Sequence, residues 1–377
     1  MVSTSFGTTL VAVEGSTYPV ALAADLTGLG AAVSAVLPPG RVVVVTNDVV
    51  GPLHAARAEA SLRGAGWDPV RITLPDGEAH KTLGTWQGLV EDVLALQIDR
   101  RTPVLALGGG VTGDLVGFAA AAILRGLPFV QVPTTLLAMV DASVGGKVAV
   151  NTVHGKNLVG AFWQPRLVYA PFDVLDTLPD DEVRSGLGEV VKHAVLSGED
   201  ALAQLEADRA DLNARSHEAL ARAVRASVAC KAAVVAADPR ESGVRATLNL
   251  GHTLAHALES VAGYGRLRHG EAVAIGLVAV TAYCERRGWT ERGLARRIEQ
   301  VCAGLRLPVA PPLDLDRSAL VSAVAFDKKR DRATITLVVP AAPGRVELRS
   351  LPLVEVPALV DVLFDSRPQG PSPSPSA

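Results

Sequence analysis

Pro103-Val-Leu-Ala-Leu107, then Gly108-Gly-Gly-Val-Thr-Gly-Asp114, then Leu115-Val-Gly-Phe-Ala-Ala-Ala-Ala-Ile-Leu124 is the stretch that decides the fold. A short apolar run ends in glycines and an apolar helical segment follows, which reads as a strand entering a helix through a tight turn. Gly108, Gly110 and Gly113 fit the spacing G-x-G-x-x-G, in which small residues let backbone approach a pyrophosphate while the helix amides point at the anion. An ordinary strand-to-helix turn uses glycines in the same way. The acid that commonly binds ribose about twenty residues further on is missing, because Phe129 to Pro133 holds no Asp or Glu. We therefore expect a nucleotide fold wound differently, with the loops Asn47-Asp48 and Glu78-Ala79-His80-Lys81 gripping the rest of the cofactor.

Working outward, Arg41 to Thr46, Asp68 to Leu74 and Phe129 to Val132 repeat the buried-strand pattern, and His54 to Gly64 and Thr82 to Leu96 carry apolar residues at helical spacing. Strand and helix alternate, the sign of a parallel sheet with crossover helices. From Asp180 onward Ala/Leu/Val/Arg segments such as Asp200 to Asp238, Gly251 to Ala262 and Gly270 to Arg287 read as helices. Thr334 to Val339 and Arg345 to Leu348 read as one late hairpin. Ser366 to Ala377 is Pro/Ser-rich and reads as a disordered tail.

Composition narrows the function. The chain is 49% hydrophobic, 20% charged and 4% aromatic, so its core is aliphatic and wholesale disorder is excluded. A net charge of -3 supplies no field for non-specific nucleic-acid binding. Cys230, Cys284 and Cys302 form no CxxC pair, which fits a reducing compartment, the cytoplasm by default. No apolar stretch reaches the roughly 18 residues of a membrane span, and no secretory signal is read at the N-terminus.

His252 and His256 stand four apart and share a helical face, so one or both are candidate metal ligands. His269 precedes another helix, and Glu189 lies in Gly-Leu-Gly-Glu-Val-Val-Lys-His, three residues before Lys192 and four before His193. A Glu with two His is a catalytic zinc arrangement. Asp141-Ala-Ser-Val-Gly-Gly-Lys147 and His154-Gly-Lys156-Asn157 put two lysines and an amide on glycine-broken backbone, where we expect no regular element. Lys231, Arg245, Asn249 and Asp327-Lys328-Lys329 add donors. Cations gathered near glycine turns in a nearly neutral chain suggest an anionic substrate with carboxylate and phosphate groups.

From about Arg41 to Leu348 the sequence resembles the 3-dehydroquinate synthase family of sugar phosphate cyclases. The resemblance is carried by the glycine block 108 to 120, Arg-Gly-Leu-Pro-Phe-Val-Gln-Val-Pro-Thr-Thr-Leu-Leu-Ala (125 to 138), Asp141 to Lys147 and His154 to Pro165. It continues in Arg-Ser-Gly-Leu-Gly-Glu-Val-Val-Lys-His (184 to 193), Leu-Asn-Leu-Gly-His-Thr (248 to 253), His-Gly-Glu-Ala-Val (269 to 273) and Asp-Lys-Lys (327 to 329). It implies an NAD-binding α/β domain over 1–178, an all-α metal- and substrate-binding domain over 179–365, and the tail 366–377. Glu189, His252 and His269 match zinc (or cobalt) ligands, which replaces the adjacent pair, and His256 becomes a substrate-side residue. Asp48, Glu78, Lys81, Gly109, Gly110, Val111, Asp114, Thr134, Thr135, Thr177, Leu178 and Glu182 match the positions that hold NAD.

Lys147, Lys192, Lys231, Arg245, Asn249 and His256 match catalytic positions, and Asp141, Lys156, Asn157 and Lys328 match substrate contacts. Arg125 matches an arginine that reaches the phosphate of the neighbouring subunit, so a homodimer is implied. The implied reaction turns a phosphorylated keto-acid sugar, 3-deoxy-D-arabino-heptulosonate 7-phosphate, into 3-dehydroquinate and phosphate in aromatic amino acid biosynthesis, by transient NAD oxidation, phosphate elimination, reduction and aldol closure. Competing readings are an amino-3-dehydroquinate synthase or another secondary-metabolic cyclase, and more distantly a metal-dependent polyol dehydrogenase.

Overall fold

Val42 to Val45 have no solvent exposure, which a strand achieves only when both faces of its sheet are covered. In the computed structural model, which describes residues 5–13, 15–241, 243–263, 266–326 and 333–365, these valines lie in a seven-stranded sheet. The chain divides into two compact units, Met1–His193 with Ala210–Arg245, and Ala194–Arg209 with Ala246–Ala377. The first contains β1 (Ser5–Val13), β2 (Ser16–Ala23), β3 (Arg41–Asn47), β4 (Asp68–Leu74), β5 (Val104–Gly108), β6 (Phe129–Pro133), the paired strands β7 (Lys147–Thr152) and β8 (Gly155–Phe162), and β9 (Leu167–Pro171). The order across the sheet is β1-β2-β9-β6-β5-β3-β4. Every pairing in it is parallel except β1 with β2. Helices α1 (Leu29–Ser34), α2 (Ala56–Gly64), α3 (Leu83–Ala95) and α4 (Gly110–Ala122) alternate with the strands, and α5 (Asp180–Ser197) follows the last one.

The α/β reading of this half therefore holds. One local expectation does not, and two strands lie where the sequence reading places none. β1 and β2 were not anticipated, because Pro19 interrupts the donor pattern of β2 and strand formation there depends on pairing with β9. The segment around Lys147, Lys156 and Asn157, expected to lack regular structure, is the β7–β8 hairpin. Its polar, glycine-containing sequence hides a single buried row, Val148 and Val150, which packs in the core with Leu115, Val116 and Phe129. Each buried valine contributes about 1.5–3 kcal/mol. Gly117 permits this packing, since a Cβ there would stand 2.4 Å from Val148 Cγ1.

The stretch Asp200 to Asp238 is three helices, α6 (Glu199–Ala207), α7 (Arg209–Asn213) and α8 (His217–Ala237), with Ser216 capping the last through its hydroxyl. The second unit holds α9 (His252–Ala262), α10 (His269–Arg286), α11 (Leu294–Gly304), α12 (Arg317–Phe326) and α13 (Val356–Asp365) together with a hairpin, β10 (Thr334–Ala342) with β11 (Arg345–Pro352). This unit is helical but not all-α. The hairpin is the one expected from the sequence. α10 is apolar on nearly all sides and sits against α9, α11, α13 and β10. Among the described residues no helix is long and apolar enough to cross a membrane. Lys328 and the tail 366–377 lie outside the described residues.

Candidate active site

At the glycine turn β5 ends on Gly108, Gly109 occupies the cap position and α4 starts at Gly110. No side chain caps this helix, so its first amides are directed at the space before the turn. A Cβ on Gly108 would come within 2.6 Å of Thr112, which leaves glycine as the residue that fits. Thr134, at the end of β6, donates its N–H to Gly108 O at 3.0 Å. Its buried hydroxyl has no hydrogen-bond partner among the described residues. A buried hydroxyl left over beside an uncapped helix start fits a phosphate-bearing nucleotide.

Around this turn the expected cofactor residues fall into small polar groups. Lys81 is buried and its ammonium contacts the Asp114 carboxylate and Asn157 Oδ1, the latter at 2.6 Å. Burial pushes the Asp114 carboxyl up to about 6 against the pull of the Lys81 ammonium. Glu78 accepts from Asn151 Nδ2 at 2.7 Å, and Asp48 accepts the Asp76 N–H at 2.9 Å. Thr177 meets His54 Nε2 at 2.9 Å. Leu178 closes that turn, and Glu182 lies in the first turn of α5. Thr135 stands against Gly109, and Val111 is half-buried in the first turn of α4. The sequence reading does not single out Asn151, His54 or Asp76, since nothing local distinguishes them from ordinary strand, helix and loop residues.

A second polar cluster sits on α5, α8 and the turn Ala138–Ala142. Lys231 Nζ donates to both Asp141 O and Asp141 Oδ1 at 2.6 Å, and Lys192 Nζ forms an ion pair with Glu189 Oε2 at 2.6 Å. Ligand-type atoms of Asp141, Glu189 and His193 lie within 4.8 Å of one another. Lys192 and Glu189 are fully buried. Burial would raise the Asp141 carboxyl, yet the Lys231 and Lys192 ammonium groups hold it well below the carboxylate range. Burial lowers Lys231, whereas for Lys192 the same burial is outweighed by Glu189 and Asp141 and its pKa rises. His193 falls to about 3, chiefly through burial and then the Lys192 charge, so its imidazole is neutral. The sequence places His193 one residue after Lys192 but conceals its 3.9 Å approach to Asp141 Oδ1.

Arg245 is also buried, donating from Nη1 to Pro239 O at 2.6 Å and from Nη2 to Gly145 O at 3.1 Å. The Tyr18 hydroxyl accepts the Gly145 N–H, which ties this loop to β2. Lys147 contacts Glu241, while Lys156 is half-buried on β8. Arg125 is exposed, and with Leu124 it takes left-handed backbone, φ 64° and 50°.

In the second unit His252 and His256 share a face of α9, their ring centroids 5.5 Å apart. His269, the first residue of α10, stands 5.2 Å from the first ring and 6.2 Å from the second. His252 Nδ1 is 3.2 Å from Leu250 O, and His269 Nδ1 is 3.2 Å from Glu259 Oε2. Asn249 is exposed just before α9. His252 and His269, each with Nδ1 beside an oxygen, fit ligands of a divalent cation that takes nitrogen donors.

A nucleotide-type α/β sheet with a helical, histidine-bearing second unit defines a class of two-part enzymes. Among solved structures, 2-deoxy-scyllo-inosose synthase complexed with carbaglucose-6-phosphate, NAD+ and Co2+ is 25% identical with a TM-score of 0.84, over 94% of this chain and 99% of that one. The 2-epi-5-epi-valiolone synthase of Streptomyces hygroscopicus, with NAD+ and Zn2+ bound, is 26% identical with a TM-score of 0.85 and the same coverage. Residues 71–185 match the family described as 3-dehydroquinate synthase N-terminal, and 186–330 match its C-terminal counterpart. The 3-dehydroquinate synthase of Methylococcus capsulatus is 49% identical over 331 residues, 88% of this chain and 92% of that protein. The chain belongs to the 3-dehydroquinate synthase family and is an NAD- and metal-dependent lyase.

Proposed function

We propose that the chain acts in the cytoplasm as a homodimer and converts 3-deoxy-D-arabino-heptulosonate 7-phosphate into 3-dehydroquinate and phosphate. The observation that carries this reading is the burial of Lys192, Lys231 and Arg245 in one unit. Glu189 and Asp141 meet two of these cations and Arg245 donates to the carbonyl oxygens of Pro239 and Gly145; a substrate bearing both carboxylate and phosphate adds the further anions that three cations so gathered favour. Glu189, His252 and His269 are the metal ligands in this reading. When bound, NAD supplies a reversible hydride acceptor and the divalent metal supplies Lewis acidity toward substrate hydroxyls.

The chain's own residues do the rest. Lys147, Lys156, Asn157, Arg245 and Lys328 bind the anionic ends of the substrate. Asp141 holds Lys231 at a fixed point, so that its ammonium faces charge developing on the substrate without reorganising. Lys192 fixes the Glu189 carboxylate. Asn249 and His256 contact substrate from the helical side. Asp48, Glu78, Lys81, Asp114, Thr134, Thr135, Thr177, Leu178 and Glu182, with the backbone of Gly109, Gly110 and Val111, hold the nucleotide.

The test follows the fate of the hydride. With catalytic NAD and Zn2+ or Co2+, the heptulosonate phosphate is expected to release inorganic phosphate continuously with no accumulating NADH absorbance. Stoichiometric NADH from glycerol or a similar polyol, without phosphate release, would overturn the reading in favour of a dehydrogenase. Faster turnover of the amino-substituted heptulosonate would move the chain to the secondary-metabolic branch.

Arg125 is assigned to the partner subunit's substrate phosphate, a role supported by its exposed side chain on a left-handed turn. Mixing inactive Arg125→Ala with inactive Glu189→Ala is expected to restore part of the activity in mixed dimers. No recovery after verified subunit exchange would reject the assignment.

A further inference from the structure

α9 places His252, His256 and Glu259 four and seven residues along one helical face. Glu259 is buried, with 9% of its surface exposed, and its Oε2 is 3.2 Å from His269 Nδ1. A carboxylate held in such a place loses water, and a specific partner is needed to offset that loss. An ionised carboxylate can only accept, so Nδ1 of His269 carries the proton and its Nε2 carries the lone pair. His252 obeys the same logic, because the Leu250 carbonyl 3.2 Å from its Nδ1 is also only an acceptor. Both rings are thereby set in the tautomer that offers Nε2 to a cation.

The two constraints differ in kind. The one on His252 comes from backbone two residues away and is built into the entry to α9. The one on His269 comes from a side chain ten residues away, across the break between α9 and α10, so a single substitution can remove it. His269 is also the first residue of its helix, where the turn before it is held by the Arg268 N–H donating to Glu271 at 3.1 Å. That contact holds backbone, whereas Glu259 meets the ring of His269 itself.

We propose that Glu259 is a positioning residue that orients His269 for metal binding and raises the donor strength of its Nε2. The inference rests on the reading of His269 as a metal ligand. The experiment measures the zinc dissociation constant of the full-length protein by chelator competition, together with the visible spectrum of its Co2+-loaded form. Glu259→Ala is expected to weaken zinc about 10- to 100-fold and to change the cobalt bands. Glu259→Gln keeps an acceptor oxygen at the same reach and is expected to recover most of that loss.

Should Glu259→Ala fail to fold, Glu259→Asp is read in its place. It keeps the charge but falls short of the ring, and a comparable loss of affinity supports the proposal. Parental affinity with an unchanged cobalt spectrum in the shortened variant overturns it, and so does a Gln variant as weak as the Ala variant. His269→Ala separates the two levels. If that variant keeps parental zinc affinity, the ligand reading itself fails; if it loses zinc while the Glu259 variants do not, only the orientation role is rejected.

Discussion

Turnover is expected to fall by about a thousandfold or more when Glu189 is replaced by Gln, or His252 or His269 by Ala, because several kcal/mol of Lewis-acid stabilisation depends on all three ligands. Bound metal, measured by elemental analysis after dialysis, should fall in parallel. The three variants should differ in stability. Glu189 is fully buried against the Lys192 ammonium at 2.6 Å, so a neutral side chain leaves that ammonium with Asp141 as a more distant counter-charge, a cost of about 3 kcal/mol, the low end for a buried pair broken on one side. The imidazoles of His252 and His269 are half-buried, and their loss should move the melting temperature far less. Full metal occupancy in two of the three variants would reject the ligand assignment. An unchanged melting temperature in Glu189→Gln would reject the account of the ion pair.

Lys231→Met should be the second most damaging change. Its ammonium is 7% exposed and holds both the backbone and the side chain of Asp141 at 2.6 Å. Methionine matches the length and apolar stem of lysine, so the packing of α8 is retained and the charge alone is removed. Asp141 keeps about a third of its side chain in solvent, which puts the expected destabilisation near 3 kcal/mol, the low end for a broken buried pair. The effect on turnover should be greater, about 10²- to 10³-fold in kcat, the range for removing one preorganised charged donor from a reacting site. A double variant with Asp141→Asn distinguishes the roles. Neutralising both partners should recover much of the melting temperature and none of the turnover, whereas recovery of both would reduce Lys231 to a structural counter-ion.

The sequence alone determined the alternation of strand and helix through the first half, the glycine turn before α4, the helical second half and the late hairpin. These features are local: a run of valines, a glycine at a tight turn or an apolar face of period 3.6 is written in neighbouring residues. It also carried, in ordered blocks, the resemblance that named the candidate residues. Tertiary structure alone decided the β1–β2 and β7–β8 pairings, because Pro19 and the polar residues flanking Val148 and Val150 make poor strands until a partner supplies hydrogen bonds and a covered face. Glu259 lies between these cases, since its spacing from His252 is visible in sequence while its hydrogen bond to His269 is not. The same holds for the charged groups. Asp141 and Lys231 are 90 residues apart in the chain and 2.6 Å apart in space, and whether such groups are ionised depends on water excluded by segments distant in sequence, a property no stretch of residues has by itself.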